Sequence, residues 1–179
     1  MDVSEQRIAS AQFAELALPL FDQLYNFANW LTQDRVEAED LVQETYAKAL
    51  KGFAGFQIGT NFRAWMFRIL RNTFLTSRTG LNAAISGDDE LDVVPSASPS
   101  PETALISQSD QEMVRQALTD LPVRFREILL LCEVEEMKYE EIAQVLAIPI
   151  GTVMSRLHRA RKMLRERIVD SPKGRPHGL

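Results

Sequence analysis

Side chains that could bind DNA are concentrated near the C-terminal end of the chain, between residues 150 and 165. Val153, Leu157, Ala160 and Leu164 recur at intervals of four, three and four residues, which predicts one buried stripe along a helix. The polar groups left on the remaining surface belong to Thr152, Ser155, Arg156, His158, Arg159 and Lys162. Hydroxyl and guanidinium groups so placed suit a helix that lies in the major groove of duplex DNA. The simpler alternative is an amphipathic hairpin whose polar face is only solvated.

A second helix is needed to position this basic helix. The segment from Tyr139 to Ala147 has helical periodicity, with Ile142 and Val145 among its inward positions. Pro149 can open the helix that follows, because a first-turn residue needs no N–H donor and proline's fixed φ suits the first turn. Two short helices joined by a tight turn, with the second one basic, predict a helix-turn-helix.

A second basic region precedes the middle of the chain. The helical pattern from Phe62 to Arg78 carries arginines beside an apolar stripe, and a glycine-containing loop, residues 52–61, precedes it. Basic side chains beside aromatic rings are typical of single-strand binding, where bases stack and phosphates pair with cations. Trp65 fits the core stripe, so Asn61 and Phe62, at the loop–helix junction, are the stronger candidates for base contact. The candidate set is Asn61, Phe62, Arg63, Trp65, Arg68 and Arg71.

An acidic stripe marks the helix before that loop. Asp34 with Glu37 three residues later predicts a capping box at the start of this helix. Glu37, Asp40 and Glu44 follow at spacings of three and four, with Gln43 beside them. This face could simply be solvated, or it could dock a basic, helical partner.

Catalytic chemistry finds no support in the sequence. The two histidines, His158 and His177, lie on the basic helix and near the C-terminus. No metal-ligand spacing, phosphate-binding glycine loop or nucleophile motif is present, so we expect no enzyme activity, no metal and no cofactor. One set of five acidic residues could be imagined as a metal site, but it has no His or Cys partner and is expected to be solvated surface; its members are Glu133, Glu135, Glu136, Glu140 and Glu141.

Composition indicates a folded protein with an uneven charge distribution. Hydrophobic residues make up 45% of the 179 residues, and the net charge is −5. Residues 81–110 contain six acidic and no basic side chains, whereas residues 150–179 contain eight basic and two acidic ones. Local charge sets the attraction to phosphate, because salt screens fields beyond about 10 Å. The basic end is therefore compatible with DNA binding.

The cellular location can also be predicted. Cys132 is the single cysteine, which excludes an internal disulfide, and it lies in an apolar run that predicts a core position. The polar N-terminus does not resemble a signal peptide, and no apolar run approaches the roughly 20 residues of a membrane span. We therefore expect a cytoplasmic protein without membrane insertion.

The pattern along the chain predicts an all-α protein with two small helical domains. Helical periodicity covers residues 10–80 and resumes over residues 110–168. Residues 81–109 between them are rich in Pro, Ser and Asp, which predicts a flexible acidic linker that cannot bury enough apolar area to fold. Residues 169–179 are predicted to be a disordered tail.

Three motifs in this order resemble the extracytoplasmic-function (ECF) sigma factors, the small two-domain class of bacterial RNA polymerase initiation subunits. DRVEAEDLVQETYAKAL resembles the family's region 2.2, and GTNFRAWMFRILRNTF resembles regions 2.3 and 2.4. LPVRFREILLL followed by YEEIAQVLAIPIGTVMSRLHRAR resembles region 4, with its helix-turn-helix. The resemblance covers about residues 12–168 and implies promoter-specific transcription initiation.

The resemblance also implies partners and roles. Core RNA polymerase would be bound through its β′ clamp helices and β flap. The β′ contacts would come from Asp34, Glu37, Asp40, Leu41, Gln43 and Glu44. The candidates around Asn61 would hold the melted −10 element, and those around Arg156 would read the −35 duplex. Met154 stands where many members carry Arg or Lys. An anti-sigma factor is a further expected partner, and the wording of the second and third motifs is most similar to a subgroup controlled by redox-sensitive, zinc-binding anti-sigma factors.

Two other classes remain compatible with the residues. A transcription regulator could combine a helix-turn-helix with a helical sensor domain, and it need not bind polymerase. An inhibitor that imitates a sigma factor would compete for polymerase but would not open a promoter.

Overall fold

The computed structural model describes residues 3–79 and 108–170, and the regular structure in these two ranges is helical, which confirms the all-α prediction. The N-terminal helices are α1 (Val3–Ala17), α2 (Phe21–Thr32), α3 (Arg35–Gly52) and α4 (Phe62–Thr79). The C-terminal helices are α5 (Gln108–Thr119), α6 (Val123–Leu129), α7 (Tyr139–Leu146) and α8 (Ile150–Asp170). Short 3₁₀ turns follow α1 and α3, and one π turn, Leu130–Val134, continues α6.

The N-terminal domain is built around α4, which packs against α2 and α3. Its core contains Leu24 and Phe27 from α2, Val42 from α3, and Met66 and Leu70 from α4, each at most 2% exposed. One half of the predicted capping box at α3 is confirmed, because the Asp34 carboxylate accepts a hydrogen bond from the Glu37 N–H at 2.9 Å. This cap satisfies one of the donors left unpaired at the helix start. The Glu37 carboxylate pairs with Arg78, and the Asp34 N–H donates to the Thr32 hydroxyl.

An aromatic cluster fixes the junction between α3 and α4. The ring of Phe62 meets those of Phe13, Phe53 and Phe56 edge-on, with centroids 5.2 to 6.1 Å apart. Edge-to-face pairs of this kind place the positive ring edge against the negative face and add specificity to apolar burial. The loop between them contains Gly59 with φ of 95°, a conformation that favours glycine. The cluster thereby sets where α4 begins.

The C-terminal domain contains the predicted helix-turn-helix. Ala147 ends α7 in the left-handed conformation, and the Pro149 carbonyl accepts hydrogen bonds from Thr152 N–H and Val153 N–H at the start of α8. Ile142 and Val145 of α7 are fully buried, and α7 and α6 both pack against α8. The second helix is therefore held at a fixed angle to the first.

The two domains also pack against each other, which the sequence did not predict. α4 lies against α7, and α2 lies against α6, so that the buried residues of both domains form one continuous hydrophobic cluster. At the edge of this contact, the Thr119 hydroxyl donates to Gln33 Oε1 at 3.2 Å. As a result, α4 is covered on two sides.

The predicted linker and tail lie mostly outside the described residues. α5 begins at Gln108, two residues before the predicted domain start at 110, and α8 continues to Asp170, two residues beyond the predicted domain end at 168. Within residues 3–79 and 108–170, no helix is long and apolar enough to cross a membrane.

Candidate polymerase and nucleic-acid interfaces

The exposed face of α3 carries the predicted acidic stripe. Glu37, Asp40, Gln43 and Glu44 are exposed, while Ala38, Val42 and Thr45 on the opposite side are buried. Two of the carboxylates have cations beside them: Glu37 pairs with Arg78 at 2.6 Å, and Glu44 pairs with Lys48 at 2.7 Å. Exposed pairs of this kind exchange readily with solvent or with a partner's cations.

Leu41 differs from the other residues of the predicted docking set. Its side chain is only 6% exposed and belongs to the core of the N-terminal domain. The prediction that Leu41 faces a partner is therefore corrected. This residue anchors α3 in the core, because burying an apolar side chain contributes more free energy than leaving it in water. Asp34 is exposed but serves α3 as its cap.

The predicted duplex-reading face lies on the solvent side of α8. Val153, Leu157 and Ala160 are at most 1% exposed and fix the helix from behind. Four of the predicted DNA contacts are exposed, namely Ser155, His158, Arg159 and Lys162. Lys162 has Glu166 at 3.9 Å, a long and exposed pair that a phosphate could replace.

Thr152 and Arg156 are half-buried rather than fully exposed. Arg156 also makes an interaction within the protein. Met154 is 57% exposed and stands where many members of the resembled family carry Arg or Lys. The open cationic part of this face is therefore centred on Arg159.

Asn61 caps α4 and points its amide toward the other domain. Its Oδ1 accepts a hydrogen bond from the Ala64 N–H at 2.9 Å, which satisfies one donor at the helix start. Its Nδ2 donates to Glu141 Oε1 of α7 at 2.6 Å. The amide oxygen therefore caps α4, and the amide N–H group is bonded to Glu141, a contact that a ligand would have to replace.

A cleft of about 300 Å³ lies beside Asn61, between the loop before α4 and α7. Its walls include Trp65 and Arg68 of α4 and Gln144 of α7. Trp65 is half-buried, with its ring 4.9 Å from that of Phe56, so it presents one part to this cleft. Phe62 is only 9% exposed and lies in the aromatic cluster. The expectation that Phe62 offers its ring to a base is corrected to a supporting role behind Asn61.

Arg63 is held by both domains. Its Nε donates to Gln23 Oε1 at 2.9 Å, and its Nη2 donates to the Glu135 carbonyl at 2.8 Å and to Glu135 Oε2 at 2.9 Å. Its guanidinium also lies 5.3 Å from the centre of the Phe67 ring. The side chain is thus fixed by several partners, although it remains 27% exposed to solvent.

Arg71 makes a bidentate ion pair with Glu127 of α6. The two bonds run from Nε to Oε2 at 2.8 Å and from Nη2 to Oε1 at 3.1 Å. The side chains are 16% and 1% exposed, so the pair is buried between the domains. Arg68, by contrast, is exposed at the rim of the cleft.

The acidic residues of the C-terminal domain were predicted to be solvated, and this is wrong for Glu135 and Glu141. Glu135 is 7% exposed, and burial raises the pKa of its carboxyl group while Arg63 opposes that rise. Glu141 is half-buried against Asn61. Sequence reasoning also missed Glu127. Arg63 and Arg71 could have indicated such acidic partners. Both arginines lie beside an apolar stripe, and a cation that becomes covered by another element needs an anionic partner.

A metal centre finds no geometric support in the described ranges. No group of three or more His, Cys, Asp or Glu side chains within residues 3–79 and 108–170 could hold a metal ion.

Comparison with known families matches both halves of the chain. The family described as "Sigma-70 region 2" matches residues 19–82, and the family described as "Sigma-70, region 4" matches residues 111–164. The ECF RNA polymerase sigma factor EcfG of Rhodopseudomonas palustris is 36% identical over 77% of this chain and 75% of its own length. The RNA polymerase sigma factor YlaC of Bacillus subtilis is 31% identical over 84% of this chain and 88% of its own length.

The chain belongs to the ECF family of RNA polymerase sigma factors. A further relative, the ECF sigma factor SigE of Mycolicibacterium smegmatis, is 34% identical over 92% of this chain. This chain spans 65% of that relative's length. In the terms of the family, α2 to α4 lie in sigma region 2, and α5 to α8 carry sigma region 4.

Two solved structures have a similar fold. The sigma factor RpoE from Bartonella quintana, in complex with the anti-sigma factor NepR, is 29% identical with a TM-score of 0.66 over 89% of this chain and 98% of that one. CnrH, in complex with the cytosolic domain of CnrY, is 25% identical with a TM-score of 0.61 over 93% of this chain and 99% of that one.

Proposed function

We propose that this ECF sigma factor binds core RNA polymerase and directs it to promoters by reading the −35 element as duplex and the −10 element as a melted strand. The observation that carries the proposal is the presence of three different surfaces on one chain. They are the exposed acidic face of α3, the polar and basic start of α4, and the exposed basic face of α8. A plain helix-turn-helix regulator needs only the last of them.

Duplex recognition is assigned to α8. Its buried stripe leaves Ser155, His158 and Arg159 exposed, with Lys162 one turn further on. Arginine at such a site can donate two hydrogen bonds to one guanine, whereas lysine and hydroxyl groups suit phosphates. Thr152 and Arg156 are assigned to the edge of the same contact, consistent with their partial burial.

Strand recognition is assigned to the cleft beside α4. Asn61 would offer an amide donor, Trp65 a ring for stacking and Arg68 an exposed cation. Arg63 and Arg71 are assigned to the same contact on α4, where they would exchange their carboxylate partners for phosphates. Ring stacking and phosphate pairing together are the usual basis of single-strand binding. Phe62 packs in the aromatic cluster and thereby supports the junction at which Asn61 lies.

Polymerase docking is assigned to Glu37, Asp40, Gln43 and Glu44 of α3, with Asp34 and Leu41 maintaining the helix. Their carboxylates would face a basic, helical element, which the family resemblance identifies as the β′ clamp helices. A contact between region 4 and the β flap is part of the same proposal.

The whole proposal is tested by reconstitution with core RNA polymerase. The chain is mixed with core enzyme and a random DNA library, and transcribed templates are recovered. We expect selection of one two-part promoter and co-purification with core. A regulator would not co-purify, and an inhibitor would co-purify without opening any template, so either result would reject the proposal.

Strand capture is tested separately by Asn61→Ser. Serine keeps an oxygen that can cap α4 but removes the amide donor. Permanganate footprinting should then show reduced opening of linear promoters and rescue on a pre-melted template. Asn26→Ser, at an exposed position of α2, is the matched control and should open promoters as the parent does.

Control by an anti-sigma factor is part of the proposal, since the similar structure of RpoE from Bartonella quintana contains one. The finer assignment is to the subgroup with redox-sensitive, zinc-binding anti-sigma factors. It rests on the amino-acid sequences of two motifs, GTNFRAWMFRILRNTF and IPIGTVMSRLHRAR. It is tested by asking whether the partner captured by this chain from its own cell releases it on oxidation.

A further inference from the structure

The first two turns of α8 carry an apolar pair on their exposed side. Ile150 and Met154 are 43% and 57% exposed, and among the described residues of α8 the other exposed large apolar side chain is Val169, near the far end. Side chains four residues apart lie next to each other on a helix surface, so Ile150 and Met154 form one short strip. Packing within the domain does not require this strip, because Val153 and Leu157 make the buried side of α8.

The apolar pair lies beside the polar groups assigned to duplex DNA. Ser155 follows Met154 directly, and His158 lies one turn further along α8; both are exposed. A Cβ added to Gly151 would have no neighbour within 4 Å apart from the adjacent residues and the α8 backbone, so the first turn is open on this side. The N-terminal residues of a recognition helix are those that contact base edges in the major groove. The pair is therefore at the end of α8 that would meet the bases.

The chemistry of Met154 is suited to one base. A methionine side chain has no N–H or O–H group, so it cannot donate to the acceptors of guanine as arginine does. Thymine is the base that presents a C5-methyl group in the major groove, and apolar side chains contact that group. Methionine is also flexible and polarisable, which allows its terminal methyl group to pack closely against a small apolar target.

The size of the strip favours DNA over a partner protein. Four residues of helix correspond to about 6 Å, which is less than two base-pair steps of about 3.4 Å. A stable protein interface instead buries about 800 Å² on each partner and has an apolar centre. The exposed residues that follow Met154 along α8 are polar, namely Ser155, His158 and Arg159.

We propose that Met154 is a specificity-determining residue of the −35 contact and reads the C5-methyl group of one thymine in the duplex. Ile150, one turn earlier, would cover the same methyl group from the side and exclude water from the contact. The inference rests on the proposed function, because it requires α8 to lie in the major groove. It adds an apolar contact, selective for a T·A pair, to the polar contacts already assigned to α8.

The test removes the methyl group from the DNA and the side chain from the protein. The full chain is reconstituted with core RNA polymerase, and affinity is measured on the promoter selected from the random library. Each thymidine of the −35 element, on either strand, is replaced in turn by 2′-deoxyuridine, which lacks only the C5-methyl group. Met154→Ala and Met154→Leu are compared with the parent, and Val169→Ala, an equally exposed apolar position of α8, is the matched control.

At one position, deoxyuridine should weaken binding by the parent about fourfold, the factor that corresponds to the burial of one methyl group. Met154→Leu keeps an apolar side chain of similar volume and should retain this penalty, whereas Met154→Ala should bind the thymidine and deoxyuridine templates alike. Val169→Ala should behave as the parent does. An effect of the base analogue on DNA shape would persist in every variant, so it cannot produce this pattern.

An equal deoxyuridine penalty in the parent and in Met154→Ala, or a −35 element in which no thymidine is sensitive to the replacement, would overturn the inference. Arg159→Ala, measured on the same templates, separates that failure from failure of the proposed function. If Arg159→Ala weakens binding while the Met154 variants show no dependence on the methyl group, the methyl contact alone is rejected. If neither substitution changes binding to the −35 element, the assignment of α8 to duplex DNA is wrong and the inference fails with it.

Discussion

Cys132 is half-buried at the end of the apolar run and next to a surface ion pair. Arg161 contacts it, with Nη2 3.6 Å from Sγ, and also pairs with Glu133 at 2.6 Å. Burial raises the pKa of the Cys132 thiol and Glu133 raises it further, while Arg161 opposes both. A raised pKa leaves less thiolate at neutral pH, and thiolate is the reactive form. The thiol is therefore expected to react slowly at neutral pH.

We expect slow alkylation of Cys132 by iodoacetamide at neutral pH, with a rate that increases as the pH rises past the range of an ordinary thiol. Glu133→Gln should accelerate the reaction at a given pH, because it removes a charge that disfavours the thiolate. The rate is followed by mass spectrometry of the intact protein. Alkylation as fast as that of free cysteine at neutral pH would show that the thiol is activated.

Arg159 is the residue on which the duplex assignment can be judged most directly. If its guanidinium makes a bidentate contact to a base, Arg159→Ala should cost about 1–3 kcal/mol and relax specificity at one base pair. If it only neutralises a phosphate, all sequences should be weakened alike and the salt dependence should fall by about one unit. Arg165→Ala, also exposed on α8, is the control. An equal effect of both changes on the selected −35 sequence would argue against base readout by Arg159.

At the scale of elements, α3 combines a buried side with an exposed acidic side. Because Asp40 and Glu44 are exposed, their reversal to lysine should change stability by only about 0.5 kcal/mol. Affinity for core polymerase should nevertheless fall, since the docking partner is proposed to be basic. Titration of labelled core enzyme gives the affinity, and thermal unfolding gives the stability.

Glu39→Lys provides the comparison for this prediction. Glu39 is exposed on the same helix and pairs with Arg35, so the substitution changes the charge of α3 without changing the proposed face. Equal loss of polymerase affinity in both proteins would mean that general charge, and not this stripe, governs docking.

At the scale of the whole molecule, the pair Arg71–Glu127 joins the two domains. Removing one partner leaves a charge in a buried contact, so Arg71→Gln and Glu127→Gln should each destabilise the protein toward urea. The double variant should recover part of that loss, with a coupling of about 0.5–3 kcal/mol, as expected for residues in direct contact. Strictly additive effects in the four unfolding curves would show that the pair does not hold the domains together.

Much of the local structure follows from the sequence. The cap at Asp34, the helix-turn-helix and three of the four buried positions of α8 were predicted correctly, because helix periodicity and capping depend on residues only a few positions apart. Leu164, the fourth position, is half-buried. The family motifs then connected these elements to region 2 and region 4. Phe62 was harder to place, since the same aromatic residue can support a site or contact a ligand.

Only the tertiary structure decided which charged groups meet. Asn61 and Glu141 are 80 residues apart in the chain, and Arg71 and Glu127 are 56 apart. No local pattern specifies such pairs, because the sequence around a surface carboxylate is the same whether that carboxylate faces water or a neighbouring domain. By itself the sequence determined the helices, their buried sides and the chemistry that they carry. The packing of the two domains determined that Asn61, Arg63 and Arg71 are covered, since it alone brings them within hydrogen-bonding distance of Glu141, Glu135 and Glu127.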